Sequence, residues 1–279
     1  MPLVDLHCHS TASDGTLAPR EVVARAAAAG VDLLALTDHD EISGLAEARR
    51  AADDAGLRLL NGVEVSVTWR DQTLHVVGLA IDPGHRALRD GLAGIRAGRV
   101  ARAERMAAGL AETGIDDALE GACRFVSNPG LIGRTHFARL LVERSVCPDV
   151  RSVFRRFLTV GKPGYIPHRW VELSAAVGWI RAAGGVAVLA HPGRYKLSGT
   201  GLRELLREFK EVQGAAVEVV TGSHGPAQYA RFAQLARDFG LLTSAGSDFH
   251  DPVESPMDFG NMPPLPAGTE PVWERMGWI

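Results

Sequence analysis

Two hydrophobic rhythms alternate along this 279-residue chain. Short, nearly unbroken apolar runs read as strands: "LVDLH", "VDLLALTDHD", "LRLLNGVEVSV", "VAVLAH", "GAAVEVV" and "LLTSAGSDFH". Between them lie helical periods: "REVVARAAAAG", "ISGLAEARRAADDAG", "VELSAAVGWIRAAGG", "GLRELLREFKEV" and "PAQYARFAQLARDFG". The first helix should start near Ala18, with Pro19 in its first turn and Glu21 close behind, and end at Gly30. "QTLHVVGLAI" reads as a further strand able to pair with the one before it. Strand-helix-strand repetition favours a parallel sheet with helices outside it.

The rhythm changes in the middle. From about Gly84 to Gly161 the pattern is almost wholly helical. "HRALRDGLAGIRAGRVARAERMAAGLAETG" reads as one long helix, and "NPGLIGRTHFARLLVERSV" and "CPDVRSVFRRFLTVG" as two more. The chain therefore divides into residues 1–85 and 165–279, the α/β part, and 86–164, a helical insertion. The segment after the last strand is rich in Pro and Gly and reads as a covering tail.

With 46% apolar residues the chain can bury one large core. A net charge of −3 gives no reason to expect long nucleic-acid tracks or a membrane surface, so any polyanion site must be local. Cys8, Cys123 and Cys147 follow no metal or disulfide spacing and fit a reducing compartment. There is no charged-then-apolar leader and no apolar run near the ~20 residues of a membrane span. These features point to a soluble cytoplasmic protein.

The chemistry sits where the strands end. In "VDLHCHSTASDGT", His7 and His9 share one strand face, Cys8 takes the other, and Asp14 follows in a loop. His39 ends the second strand, Glu64 lies in the third, and His75 lies in the next. His191 ends "VAVLAH", and Asp248 and His250 close the last strand. Catalytic groups of βα barrels gather from several strands at their C-terminal ends. Each residue alone reads as a hydrogen-bonded loop or core group. Together they are nine nitrogen and oxygen donors, too many to bury uncompensated without metal. Imidazole and carboxylate without thiolate suit Zn, Mn, Fe or Co, and so many donors suit two or three ions. Three dications against three carboxylates leave positive charge for a bridging hydroxide and a phosphate ester, not for a neutral amide. Asp38, next to His39, reads as an orienting group and not a ligand.

In order along the chain, "DLHCHSTASDGT", "LALTDHDEISG", "NGVEVS", "LHVVGL", "LAHPGR" and "GSDFH" match the motifs of the polymerase and histidinol phosphatase (PHP) family. On these residues the chain resembles that family over nearly its whole length. The resemblance implies a distorted (β/α)7 barrel with the helical insertion covering the active site. It implies His7, His9, Glu64 and Asp248 at one metal, and Glu64 bridging to a second held by His75 and His191. Asp14, His39 and His250 would hold a third. Manganese is the expected ion, with zinc or iron as alternatives. The attacking group would be a metal-bound hydroxide held by Glu64, Asp248 and His191.

"LIGRTHFARLLVE" and "GKPGYIPH" resemble the insert of the subgroup that includes the 3′,5′-nucleoside bisphosphate phosphatases, whose relatives trim short RNA from its 5′ end. The implied reaction removes the 3′-phosphate of 3′,5′-bisphosphonucleosides, taking pAp to AMP. A second phosphate needs cations beyond the metals, and Arg134, Lys162 and Arg194 are the candidates. Arg99 and Arg102 share a helix face and read equally as substrate contacts or surface charges. Tyr165 and His168 could stack on a base or simply pack. A 5′ to 3′ exoribonuclease on short RNA, a histidinol-phosphatase-like monoesterase and a structural metal module are the alternatives.

Overall fold

The computed structural model describes residues 2–126 and 128–279. The chain forms two compact units: the residues up to Gly91 together with Trp170–Ile279, and Leu92–Arg169. Among the described residues, no helix is long and apolar enough to cross a membrane.

The first unit is built on one sheet. Its strands are β1 (Val4–Cys8), β2 (Leu33–Leu36), β3 (Arg58–Trp69), β4 (Gln72–Leu79), β5 (Val171–Glu172), β6 (Val186–Leu189), β7 (Ala216–Thr221) and β8 (Leu242–Gly246). They are ordered β1-β2-β3-β4-β6-β7-β8, and β5 pairs with β3. The sheet curls until its ends meet. Beyond the last regular pairs, His9 N donates to Phe249 O at 2.8 Å and Asp248 N to His7 O at 2.9 Å. The result is a distorted βα barrel, and all five residues of β1 are buried, as expected of a strand covered on both faces.

Helices α1 (Pro19–Ala28) and α2 (Leu45–Ala55) follow β1 and β2, and α3 (Arg86–Ala111) starts in this unit and runs into the second. The second unit continues with α4 (Ala118–Cys123), α5 (Arg134–Glu143) and α6 (Val150–Val153). The barrel resumes with α7 (Leu173–Ala182), α8 (Gly199–Glu211) and α9 (Pro226–Phe239), and α10 (Val272–Arg275) lies in the tail.

The expectation of a parallel sheet fails at β4, which runs antiparallel to both β3 and β6. The reason is local: Arg70 and Asp71 alone join β3 to β4, and a link this short can only form a hairpin. The helix expected from Val171 starts at Leu173, because Val171 and Glu172 are taken up by pairing with Val67 and Thr68 of β3. Helix α4 was not signalled by the sequence pattern. The helix expected over 147–161 is a short α6 running into a π-helical turn, Phe154–Leu158, which sets both Phe157 and Leu158 in the core of the second unit.

That core joins Met106 and Leu110 of α3 to Phe137, Leu140 and Leu141 of α5. A glycine in α3 has a packing reason: a Cβ at Gly109 would lie 2.1 Å from Pro163 O. In the barrel, a Cβ at Gly246 would lie 2.3 Å from the Cβ of His7. Only glycine lets β8 approach β1 there. Gly246→Ala should therefore destabilise the protein by about 1–3 kcal/mol through overpacking, read from the midpoint of chemical unfolding. An unchanged midpoint would show that the seam yields freely.

Candidate metal centre

Glu64 is fully buried on β3, and its two oxygens face five imidazoles. Oε1 lies 2.9 Å from His75 Nδ1, 2.9 Å from His191 Nε2 and 3.4 Å from His7 Nε2. Oε2 lies 2.8 Å from His39 Nδ1 and 3.4 Å from His9 Nε2. Asp248 Oδ1 is 3.4 Å from His9 Nε2, and Asp14 Oδ1 is 3.3 Å from His250 Nε2. All nine donors picked from the sequence thus meet in one place. His7 and His9 do share a face, with their Nε2 atoms 3.1 Å apart, while the Cys8 thiol turns away to donate to Ala35 O.

The donors fall into four overlapping groups able to embrace an ion: His7, His9 and Asp248; His7, Glu64 and His191; His39, Glu64 and His75; and His9, Asp14, His39 and His250. The expected trio of Glu64, His75 and His191 also closes: His75 Nδ1 and His191 Nε2 lie 3.3 Å apart, each 2.9 Å from Glu64 Oε1. His191 groups with His7 as well, and His75 with His39.

The donor chemistry fits divalent cations. His7 commits Nδ1–H to Glu218 Oε1 at 2.7 Å, and His250 commits Nδ1–H to the Asp248 carbonyl at 2.9 Å. Both therefore turn Nε2 toward the other donors, as a ligating imidazole does. The buried Nδ1 atoms of His9 and His191 have no hydrogen-bond partner, a rare condition in a folded protein.

Electrostatics point the same way. Burial pushes Asp14, Glu64 and Asp248 up, but the facing imidazoles outweigh it and hold all three well below the usual carboxylate range. Burial disfavours charge on His250, yet Asp14 and Asp248 lift it to about 9. His7 is likewise raised against burial by Glu218, Glu64 and Asp248. Burial, then the neighbouring His250, pushes His9 down to about 3, and burial pushes His75 to about 4. The pocket favours positive charge at its centre.

The backbone is strained at this point. His191 has φ 26° and Asp248 has φ 57°, a region that non-glycine residues leave unless the surroundings hold them there. Arg194 Nη1 reaches Asp248 Oδ2 at 3.1 Å.

Several supporting residues are not marked by the sequence pattern. Glu218 of β7 sits inside an apolar strand, and the lone acid in "GAAVEVV" is the one signal of it. Asp40 accepts from Ser66 N at 2.7 Å and Ser66 Oγ at 2.8 Å, tying the end of β2 to β3. Tyr195 Oη accepts from His75 N at 3.0 Å and donates to Ala190 O at 2.7 Å. His224 accepts from Gly193 N at 2.9 Å, bracing the turn that carries Arg194.

The remaining cations picked from the sequence lie in the second unit. Arg102 is held down to about 10, first by burial and then by the charges of Arg134 and Arg99. Its Nε donates to Ile166 O at 3.1 Å. Arg134 lies 5.6 Å from the centre of the Phe154 ring. A Cβ on Gly133, the residue before α5, would lie 3.6 Å from Arg99 Nη1. Three arginines therefore crowd the start of α5. Lys162 is exposed on the turn after the π-helix, and the His168 ring packs near Gly98 of α3.

This architecture and donor set are those of the PHP domain family, whose model matches residues 5–112, and the chain belongs to that family. It is 50% identical, over 99% of its length and 97% of the relative's, to a 3′,5′-nucleoside bisphosphate phosphatase of Chromobacterium violaceum. It is 42% identical, over 98% of its length and 93% of the relative's, to the 5′-3′ exoribonuclease Rnm of Salmonella typhimurium. A solved structure from Chromobacterium violaceum, described as an amidohydrolase with bound sulfate and no metal, superposes with a TM-score of 0.96. The two are 50% identical, with 99% of this chain and 96% of that one covered.

Asp38 does not reach a donor imidazole. It accepts from Ser10 N at 2.7 Å, Ser10 Oγ at 2.8 Å and Ser13 Oγ at 2.7 Å, and so shapes the loop that delivers Asp14. Asp38→Ala strands three buried donors and should destabilise the protein by at least about 2 kcal/mol, measured by urea unfolding. A loss below about 0.5 kcal/mol would show that the loop holds itself.

Proposed function

We propose that the protein is a metal-dependent phosphatase that removes the 3′-phosphate of 3′,5′-bisphosphonucleosides, converting pAp to AMP and phosphate. The observation that carries this reading is a nine-donor centre in a chain that also gathers three arginines in its second unit. Its relationship to a named 3′,5′-nucleoside bisphosphate phosphatase at 50% identity supports it.

In this reading His7, His9, Asp14, His39, Glu64, His75, His191, Asp248 and His250 hold two or three divalent ions, with manganese the first to test. Such ions supply Lewis acidity toward phosphoryl oxygens and a more acidic water. The protein's own groups do the orienting. Glu218 and the Asp248 carbonyl set the ring nitrogens of His7 and His250. Arg194 steadies Asp248 and, half-exposed, has N–H groups left for a phosphate oxygen.

Arg99, Arg102 and Arg134 take the second phosphate, with Lys162 as a further point charge. Their mutual repulsion is relieved when a dianion lies among them, so this cluster favours a bisphosphate over a monophosphate. Binding of that remote phosphate helps position the reacting one. The cysteines are free, which suits a reducing compartment such as the cytoplasm.

The direct test is phosphate release by manganese-reconstituted protein from pAp, set beside AMP, 3′-AMP, histidinol phosphate and a short 5′-phosphorylated RNA. Chelator-sensitive release from pAp, well above the monophosphates, is expected. Faster mononucleotide release from the RNA would make the exoribonuclease reading primary, and turnover of none of them would reject catalysis on phosphate esters. Arg134→Ala should raise KM for pAp about 10-fold or more, as the loss of a charge-assisted contact predicts, and leave a small monoester nearly unaffected. Equal effects on both would remove Arg134 from substrate selection.

A further inference from the structure

One buried side chain joins two of the proposed ligands. Glu218 is 1% exposed in the middle of β7. Its Oε1 accepts from His7 Nδ1 at 2.7 Å, and its Oε2 accepts from the backbone N–H of His191 at 2.5 Å. The two residues come from distant parts of the sheet: His7 from β1, and His191 from just past β6. They belong to one donor group with Glu64. Their rings stack with planes 26° apart and centroids 5.7 Å apart.

Two local features show that this placement is specific. The register between β7 and β8 shifts between Glu218 and Val220, the kind of irregularity that re-aims a side chain. His191 is the residue held at φ 26° and ψ 57°. Its N–H points at Glu218 Oε2 in that conformation, so the acid holds the backbone there.

We propose that Glu218 is a positioning residue that assembles the His7–Glu64–His191 metal group, fixing the His7 ring with one oxygen and the His191 backbone with the other. Both partners are donors, so both carboxylate oxygens must accept. Glutamine cannot replace it. With its oxygen on His191 N, its NH2 faces His7 Nδ1 and drives that ring to carry its proton on Nε2, the atom meant to ligate. Turned the other way, its NH2 opposes the His191 N–H and loosens the strained turn. A purely space-filling role makes the opposite forecast, because glutamine has the same shape.

The inference rests on the metal reading above, and the experiment separates the two. Wild type and Glu218→Gln would be stripped with chelator and titrated with manganese against a fluorescent competitor. Bound ions would be counted, and circular dichroism would check the fold. The expected result is a folded variant that binds manganese about 10- to 100-fold more weakly at one site or loses that ion. Wild-type affinity and stoichiometry in the variant would overturn the inference, whatever its melting temperature. A wild type that binds no manganese would overturn the metal reading itself. If the variant does not fold, 15N-histidine spectra of the zinc-loaded wild type decide. A His7 protonated on Nδ1 and metallated on Nε2 supports the role, and the reverse tautomer rejects it.

Discussion

The buried carboxylate of Glu64 is the constraint around which the barrel is arranged. A charge with no exposure is tolerated only when opposite charge or donors surround it. Here the surroundings are five imidazoles brought by β1, β2, β4 and the turn after β6. The reversed direction of β4 belongs to this arrangement. It sets His75 opposite Ser66 on the neighbouring strand, so its ring reaches Glu64 from mid-strand and not from a loop. Asp14 and Asp248 extend the same logic outward. The centre is rich in carboxylates by composition and in donors by geometry, a setting that suits cations.

The donors were readable from the sequence because most stand at or just past the ends of apolar runs, where nothing in local packing asks for histidine or a carboxylate. His7 and His9 could even be placed on one face by counting. The supports were harder to read. Glu218 and Asp5 lie inside such runs, and each has a partner far away in sequence: His7 for the former, Ser247 for the latter. Burial pushes Asp5 up to about 6, and nothing in the local pattern announces it. The antiparallel β4 followed from a two-residue link that was visible, but strand-helix alternation elsewhere outweighed it. The crowding of Arg99, Arg102 and Arg134 joins two helices, and only part of it, the spacing of Arg99 and Arg102, was visible beforehand.

Strain and support are paired throughout the centre. His191 and Asp248 occupy backbone conformations that cost about 1–3 kcal/mol each. Each is held by hydrogen bonds at its own backbone: His191 N to Glu218, Asp248 N to His7 O. The donors are thus fixed before anything binds, and little reorganisation is left for the reaction itself.

The seam between β1 and the residues after β8 has a consequence for how the protein is made. His7 O and His9 N are joined to Asp248 N and Phe249 O, so the first strand closes against a segment far later in the chain. Contacts of such long sequence separation form late and slowly. A chain still on the ribosome carries His7 and His9 early but cannot complete the pocket until residues 248–250 have emerged. The cluster therefore waits for this late segment: a chain cut short before Asp248 lacks Asp248 and His250 together, and with them the closure that turns the other donors toward one another.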